Sequence, residues 1–243
     1  MIKKMLFAFA ALAISSLSAF AQMDDENIGF INLQKNTFSI GIKAGGNIST
    51  MSQPDICDLY DKSGMGFSGG VSMNMRFGKA SENSPAGTGL IALGLDLMYR
   101  QSTVKTIAFD ETGKENANLS LGYFDVPLYV QFYPFMKSAS MNTLHVEVGA
   151  AFAGTLSRSP ETLAVPSKAG GSSSIIFNIN TDKSKLKGMD VRPFAGIGYT
   201  IPNTGVDISA RYYLGTSDLA GNMQSKISSA EISIAWMFKK WKF

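Results

Sequence analysis

Between residues 90 and 101 the chain reads Leu90-Ile91-Ala92-Leu93-Gly94-Leu95-Asp96-Leu97-Met98-Tyr99-Arg100-Gln101. Ile91, Leu93, Leu95, Leu97 and Tyr99 fall on one side of a period-two pattern, and Ala92, Gly94, Asp96 and Arg100 on the other. A period of two is that of a β-strand, whose successive side chains point to opposite faces. One face of this strand is wholly apolar. The other is small, with single long charges set into it.

The same alternation recurs along the chain after residue 36. It predicts eight strands: Phe38–Ile48, Gly66–Phe77, Leu90–Gln101, Leu121–Tyr133, Thr143–Leu156, Met189–Ile201, Val206–Leu214 and Ile227–Phe238. Most reach the roughly 9–11 residues that a tilted strand needs to cross a bilayer. Eight is an even number, as bacterial single-chain membrane barrels have. Closure removes the sheet edges, and in lipid only a closed sheet satisfies every backbone group. The links alternate in length, with the longer ones near 50–65, 102–120, 157–188 and 215–226. That rhythm predicts both termini on the periplasmic side and long loops outward. Pro127 and Pro193 fall inside strands and predict bulges there.

The apolar face could point inward, as in a soluble lipocalin-like barrel, or outward to lipid. Two features favour lipid. The apolar face carries too many large side chains for an eight-stranded interior, which is only wide enough to be filled by side chains or to hold one small ligand. The other face, rich in Gly, Ser and Ala, suits a narrow lumen. On that face lie five bases (Lys43, Arg76, Arg100, Arg192, Arg211) and five acids (Asp96, Asp125, Glu147, Asp207, Glu231). The balance predicts pairing across the lumen, since an unpaired charge there is very unfavourable. With Tyr123, Tyr129 and Tyr213 added, the expectation is a plugged core. The outward aromatics sort by height into two girdles, Phe38, Phe77, Phe132, Trp236 and Phe238 toward one interface and Phe67, Tyr99, Phe124, Phe152 and Tyr212 toward the other.

Composition agrees with a protein short of polar surface. Charged residues are 17% of the 243, against about 25% in soluble domains. Residues 1–21 read as a secretory signal: Lys3 and Lys4, the apolar run Met5–Leu17, and Ala19-Phe20-Ala21 as cleavage site. Losing it takes the formal charge from +3 to +1, and no basic patch predicts nucleic acid as a partner. Residues 22–36 read as a short periplasmic leader and 37–243 as the barrel, with a long outer loop at 157–188. After Ala21 no apolar stretch approaches about 18 residues, which excludes an inner-membrane helical protein.

Chemistry is sparse. The single Cys57 forms no internal disulfide, and one His with one Cys does not make a metal site. His145 and Glu147 share a face and could serve acid–base work. The plainer reading is a lumen histidine hydrogen-bonded to neighbouring carboxylates. A hydrolase would need a serine near His145, Ser157 being one candidate, and no motif marks it. No catalytic, cofactor-binding or metal residues are assigned, no cofactor is implied, and the chain is not read as an enzyme. Within the link at 157–188, Ser174–Asn180 has strand character, as a hairpin above the membrane or a flap over the mouth.

Six segments carry a resemblance. They are Gly41-Ile42-Lys43-Ala44-Gly45-Gly46-Asn47-Ile48-Ser49, Gly66-Phe67-Ser68-Gly69-Gly70, Leu95-Asp96-Leu97-Met98-Tyr99, Tyr123-Phe124-Asp125-Val126-Pro127-Leu128, Gly196-Ile197-Gly198-Tyr199 and Arg211-Tyr212-Tyr213. Together they resemble the outer-membrane β-barrels common in Bacteroidetes, called PorT-like or porin-family barrels, with an OmpX-like or OmpA-like architecture. The resemblance implies an all-β, eight-stranded antiparallel up-and-down transmembrane β-barrel in a Gram-negative outer membrane. It implies transport or secretion roles for some members and no catalytic residues. Such barrels usually finish on an aromatic residue of the last strand; here Phe238 is followed by Lys239–Phe243. The expected partners are outer-membrane lipids and lipopolysaccharide, the barrel-insertion machinery, and an extracellular partner reached through the outer loops. The expected role is structural or surface interaction. The alternatives are a narrow porin, an accessory component of protein secretion, and a lipid-modifying barrel enzyme using His145.

Overall fold

The computed structural model describes residues 37–52, 62–77, 89–106, 117–135, 143–159, 162–166, 174–178, 189–202, 204–216 and 226–242. The signal expected at 1–21, the leader at 22–36 and Cys57 lie outside these residues. Ten strands follow in order: β1 (Thr37–Ser52), β2 (Lys62–Arg76), β3 (Ile91–Thr106), β4 (Ala117–Phe132), β5 (Leu144–Ser159), β6 (Thr162–Pro166), β7 (Ser174–Asn178), β8 (Met189–Thr200), β9 (Val206–Tyr213) and β10 (Lys226–Lys242).

Eight of them close an antiparallel barrel in the order β1-β10-β9-β8-β5-β4-β3-β2, and β6 and β7 form a separate two-stranded sheet. Closure is made by β1 and β10, paired from Thr37↔Lys242 to Ser52↔Lys226. Every other neighbour follows in chain order once the β6–β7 hairpin is set aside, so the topology is the predicted up-and-down barrel. Both barrel ends lie at one rim, here the terminal mouth, and the links after β1, β3, β5 and β9 lie at the far mouth. The expected alternation in length is broken by the link after β2, residues 77–90, which is longer than those after β1, β3 and β9. The hairpin, Thr162↔Asn178 to Pro166↔Ser174, occupies the link in which a strand was expected.

At the far mouth several strands run longer than the alternation indicated. β1 continues to Ser52, β3 to Thr106 and β5 to Ser159. The link expected from residue 157 therefore begins only after Ser159. Past the bilayer a wall need not be apolar, so polar residues such as Ser49, Thr50, Ser102 and Thr103 extend the ladder without extending the pattern.

The two faces separate as predicted. Ile42, Phe67, Val71, Leu97, Val148, Ile197, Ile232, Ile234 and Trp236 are exposed on the outer surface. Lys43, Arg76, Asp96, Arg100, Asp125, Glu147, Arg192, Arg211 and Glu231 are buried within. This inverts a soluble protein, and it is what hydrocarbon demands of a barrel wall. Outward aromatics lie near both rims. Phe67 and Tyr99 meet at 6.0 Å toward the far mouth, and Trp236 and Phe238 at 6.3 Å toward the terminal mouth.

The bulges are not at the prolines. Pro127 pairs in register with Ala151 and Pro193 with Ala150. Beside Pro127 the pairs to Asp96 and Leu97 drop out, but the register on either side is unchanged. Proline removes one donor from a ladder; it adds no residue, and an added residue is what makes a bulge. Register shifts occur at Ile40/Gly41, Ser63/Phe67 and Gly122/Tyr123. The first passes from Gly41↔Met237 to Ile40↔Lys239, leaving Phe238 as the extra residue. That is why the alternation in the last strand breaks after Phe238. The tight β8–β9 turn uses Gly205 at φ 75°, a left-handed conformation that costs glycine nothing.

Candidate functional site: a charged lumen

Opposite charges from seven strands meet inside the barrel in two groups. The group nearer the terminal mouth contains Lys43, Asp96, Glu147 and Arg211. Asp96 accepts from Ser72 Oγ at 2.6 Å, Tyr129 Oη at 3.0 Å, Lys43 Nζ at 3.2 Å and Arg211 Nη1 at 2.7 Å. Arg211 also grips Glu147 with both sides of its fork, Nε to Oε1 at 2.6 Å and Nη2 to Oε2 at 3.0 Å. Gln131 Nε2 donates to the same Glu147 Oε2 at 3.4 Å. A bidentate Arg–carboxylate pair is among the stronger charge-assisted contacts.

The group nearer the far mouth contains Arg100, Asp125, Arg192 and Glu231. Asp125 accepts from Arg100 Nε at 2.7 Å and Arg192 Nη2 at 2.5 Å. Arg100 Nη2 lies 3.0 Å from Glu231 Oε2 as an ion pair, and Ser68 Oγ donates to that oxygen at 3.0 Å. At the edge of this group Arg192 Nε stands 3.9 Å from Asp190. Each quartet holds two bases and two acids, so each is neutral by itself.

Aromatic rings fill what the charges leave. Guanidinium groups lie over Tyr213 (Arg100, 4.0 Å), Tyr123 (Arg192, 4.7 Å), and Tyr129 and Phe194 (Arg211, 4.3 and 5.0 Å), where the ring faces attract cations. Gly94 makes room for Tyr129: a Cβ there would lie 2.1 Å from the ring. Toward the far mouth the lumen ends in an apolar cluster of Val104, Leu121, Tyr123, Ala153 and Ile227. Toward the terminal mouth stand Arg76, Tyr133, His145 and Asp207. Arg76 lies 3.5 Å over the Tyr133 ring, and Tyr133 packs against His145 at 5.2 Å.

The ten charges expected in the lumen all face it. Asp207 is the least enclosed, with 13% of its side chain exposed. Phe194, Met98, Val104 and Ile227 are buried inside as well and were not expected there. Strand parity could have found Phe194 and Met98, because each sits between recognised lumen positions.

The family profile described as an outer membrane protein beta-barrel domain matches residues 20–221. The chain belongs to this family of outer-membrane β-barrels. Its place is the outer membrane. No curated protein matches it in sequence. Among solved structures it is similar to Neisserial surface protein A (14% identity, 83% of this chain and 99% of that one, TM-score 0.44). It is also similar to OprG from Pseudomonas aeruginosa (9%, 86% and 96%, TM-score 0.39). A third is Ail, the attachment invasion locus protein of Yersinia pestis (14%, 86% and 99%, TM-score 0.36).

In this outer-membrane barrel His145 and Ser157 are not brought together. They stand twelve residues apart on one strand, β5, roughly 40 Å at about 3.3 Å per residue. Nor does His145 bond to Glu147, whose oxygens are taken by Arg211 and Gln131. Its Nδ1 lies 3.2 Å from the Thr143 carbonyl oxygen, and its Nε2 is 3.9 Å from Asp207 Oδ2.

Proposed function

We propose that this outer-membrane barrel is a non-conducting, non-enzymatic protein with a structural or surface-interaction role. Its lumen is a plug, and its working surfaces are the far-mouth links. The observation that carries the reading is the burial of the two quartets: Asp96, Arg100, Asp125 and Glu147 are 0% exposed, and Lys43, Arg192, Arg211 and Glu231 at most 4%. Ions crossing the lumen would have to break both neutral clusters and part the apolar cluster above them. Purified protein in planar bilayers is expected to give no steady conductance. Reproducible ion-selective steps would sink this reading and favour a narrow porin.

The far mouth is the outward side in this reading, with both barrel ends toward the periplasm. Lipopolysaccharide and outer-membrane lipids cover the apolar wall, and an extracellular partner is met through the β6–β7 hairpin and its neighbouring links. An epitope inserted at 167–173 should bind antibody on intact cells; detection only after permeabilisation would reverse the orientation. The six segments from Gly41 to Tyr213 support the narrower affiliation with PorT-like barrels of Bacteroidetes and, through it, an accessory place in protein secretion. A deletion strain whose secreted proteins match those of the parent would remove that secretion role.

A further inference from the structure

We propose that His145 and Asp207 form an acid-operated latch across the terminal mouth, in which protonation of the imidazole ties β5 to β9 over the intervening β8. The chain has one histidine, and it is completely buried. Its Nδ1 faces the Thr143 carbonyl oxygen at 3.2 Å. A carbonyl only accepts, so Nδ1 carries the hydrogen and the neutral ring has a bare Nε2. Among the described residues that Nε2 has no hydrogen-bond partner, and the Asp207 carboxylate stands 3.9 Å away. In the neutral state two acceptors therefore face each other. Adding one proton turns Nε2 into a charged donor aimed at a carboxylate.

Among the described residues, the charged and polar groups around this pair also have contacts of their own. Glu147, on the same face of β5, is matched by Arg211 at 2.6 and 3.0 Å. Arg76 from β2 lies over the Tyr133 ring at 3.5 Å and donates Nε to the Gly89 carbonyl at 2.8 Å. Tyr133, following β4, packs on the imidazole at 5.2 Å while its hydroxyl donates to Gln131 at 3.0 Å. From β8, Thr200 donates to Asp207 Oδ2 at 2.6 Å and so holds the carboxylate in place. Gly198 provides the hollow for the ring; a Cβ there would lie 2.3 Å from Nε2. From β10, Ala235 is the residue paired with Asp207 and brings no charge.

β5 and β9 are not ladder neighbours in the sheet; Arg211 and Glu147 already join them deeper in the lumen, and the latch adds a second tie nearer the terminal mouth. The brace forms only when Nε2 carries a hydrogen to donate. Histidine is the one side chain whose ordinary titration falls between about pH 5 and 8. With a single histidine in the chain, no second imidazole titrates in that window.

The test uses the full barrel refolded in detergent micelles, with the unfolding midpoint read by heat-modifiable gel mobility at about pH 5.5 and about pH 8. The wild type is expected to unfold several degrees higher at the acidic pH. His145→Gln and Asp207→Asn are each expected to abolish that difference. Asp207→Asn keeps an acceptor for Thr200, so it reads the latch even where the histidine variant fails to fold. A wild type with no difference, or with a higher midpoint at pH 8, overturns the latch. So does a pH difference that survives Asp207→Asn, even if that variant is less stable at both pH values.

Discussion

Asp96→Asn tests the charge network at its most connected point. The carboxylate is fully buried and accepts from Ser72, Tyr129, Lys43 and Arg211. Asparagine keeps the volume and one oxygen, so Ser72 and Tyr129 keep an acceptor at Oδ1. The amide nitrogen in place of Oδ2 then faces Lys43 and Arg211, which only donate. The quartet passes from neutral to a net charge of +1 at a buried site. Breaking a buried pair by removing one partner costs about 3–5 kcal/mol, because the remaining charge is left uncompensated. Coulomb energy gives the same scale, about 4 kcal/mol for unit charges near 4 Å at an effective dielectric of about 20. Adding Lys43→Met removes the surplus charge and leaves Arg211 and Glu147 as a neutral bidentate pair. The double variant should therefore be about 0.5–3 kcal/mol more stable than the sum of the two single changes. Urea unfolding in detergent micelles, followed by tryptophan fluorescence, measures all four proteins. Loss of less than about 1 kcal/mol in Asp96→Asn, or strict additivity in the cycle, would refute the description of this quartet as a dry, coupled unit.

Three further outcomes can be measured by unfolding. Adding Arg192→Gln to Asp96→Asn restores total lumen charge but in the other quartet; it should deepen the loss, and a rescue equal to that of Lys43→Met would show that only the overall sum matters. Gly94→Ala places a Cβ 2.1 Å from the Tyr129 ring and should cost about 1–3 kcal/mol by overpacking; a neutral result would mean that Tyr129 has other room. Ile234, 55% exposed near the middle of β10, should lose about 2–4 kcal/mol on change to Arg if lipid covers it, and a near-neutral effect in a bilayer would deny that this face meets hydrocarbon.

The faces of the barrel were legible because period two leaves little ambiguity: Leu95 and Asp96 cannot share a side. The strand order was legible because each link joins antiparallel neighbours. The pairings inside were not. Lys43 and Asp96 are 53 residues apart, Asp96 and Arg211 115, and Ser68 and Glu231 163. Who meets whom across the lumen depends on the stagger of strands around the closed sheet, which alternation does not encode. Phe194 was passed over because an aromatic ring does not look like a lumen residue until a guanidinium such as that of Arg211 needs a face to lie on. The bulges were misplaced because a proline is visible in a sequence, whereas the extra residue at Phe238 shows only once β10 is set against β1.

The balance of five bases and five acids on one face follows from a more local requirement. An eight-stranded barrel has an interior only wide enough for side chains, and lipid claims the apolar set, so the lumen is filled with what remains. Polar groups out of water must find partners among themselves. With little water to screen them, charges separated along the barrel axis are neutralised less well at a distance than by a neighbour in contact, so neutrality is met layer by layer. Arginine suits such a layer, because its planar fork engages two acceptors while its face lies on a ring. Arg211 does this, bridging Asp96 and Glu147 beneath Tyr129 and Phe194. Arg100 donates to Asp125, forms an ion pair with Glu231 and lies over Tyr213. Four of the five lumen bases counted in the sequence are arginines, which a diffuse field in a water-filled pore would not require and a packed, bridged interior does.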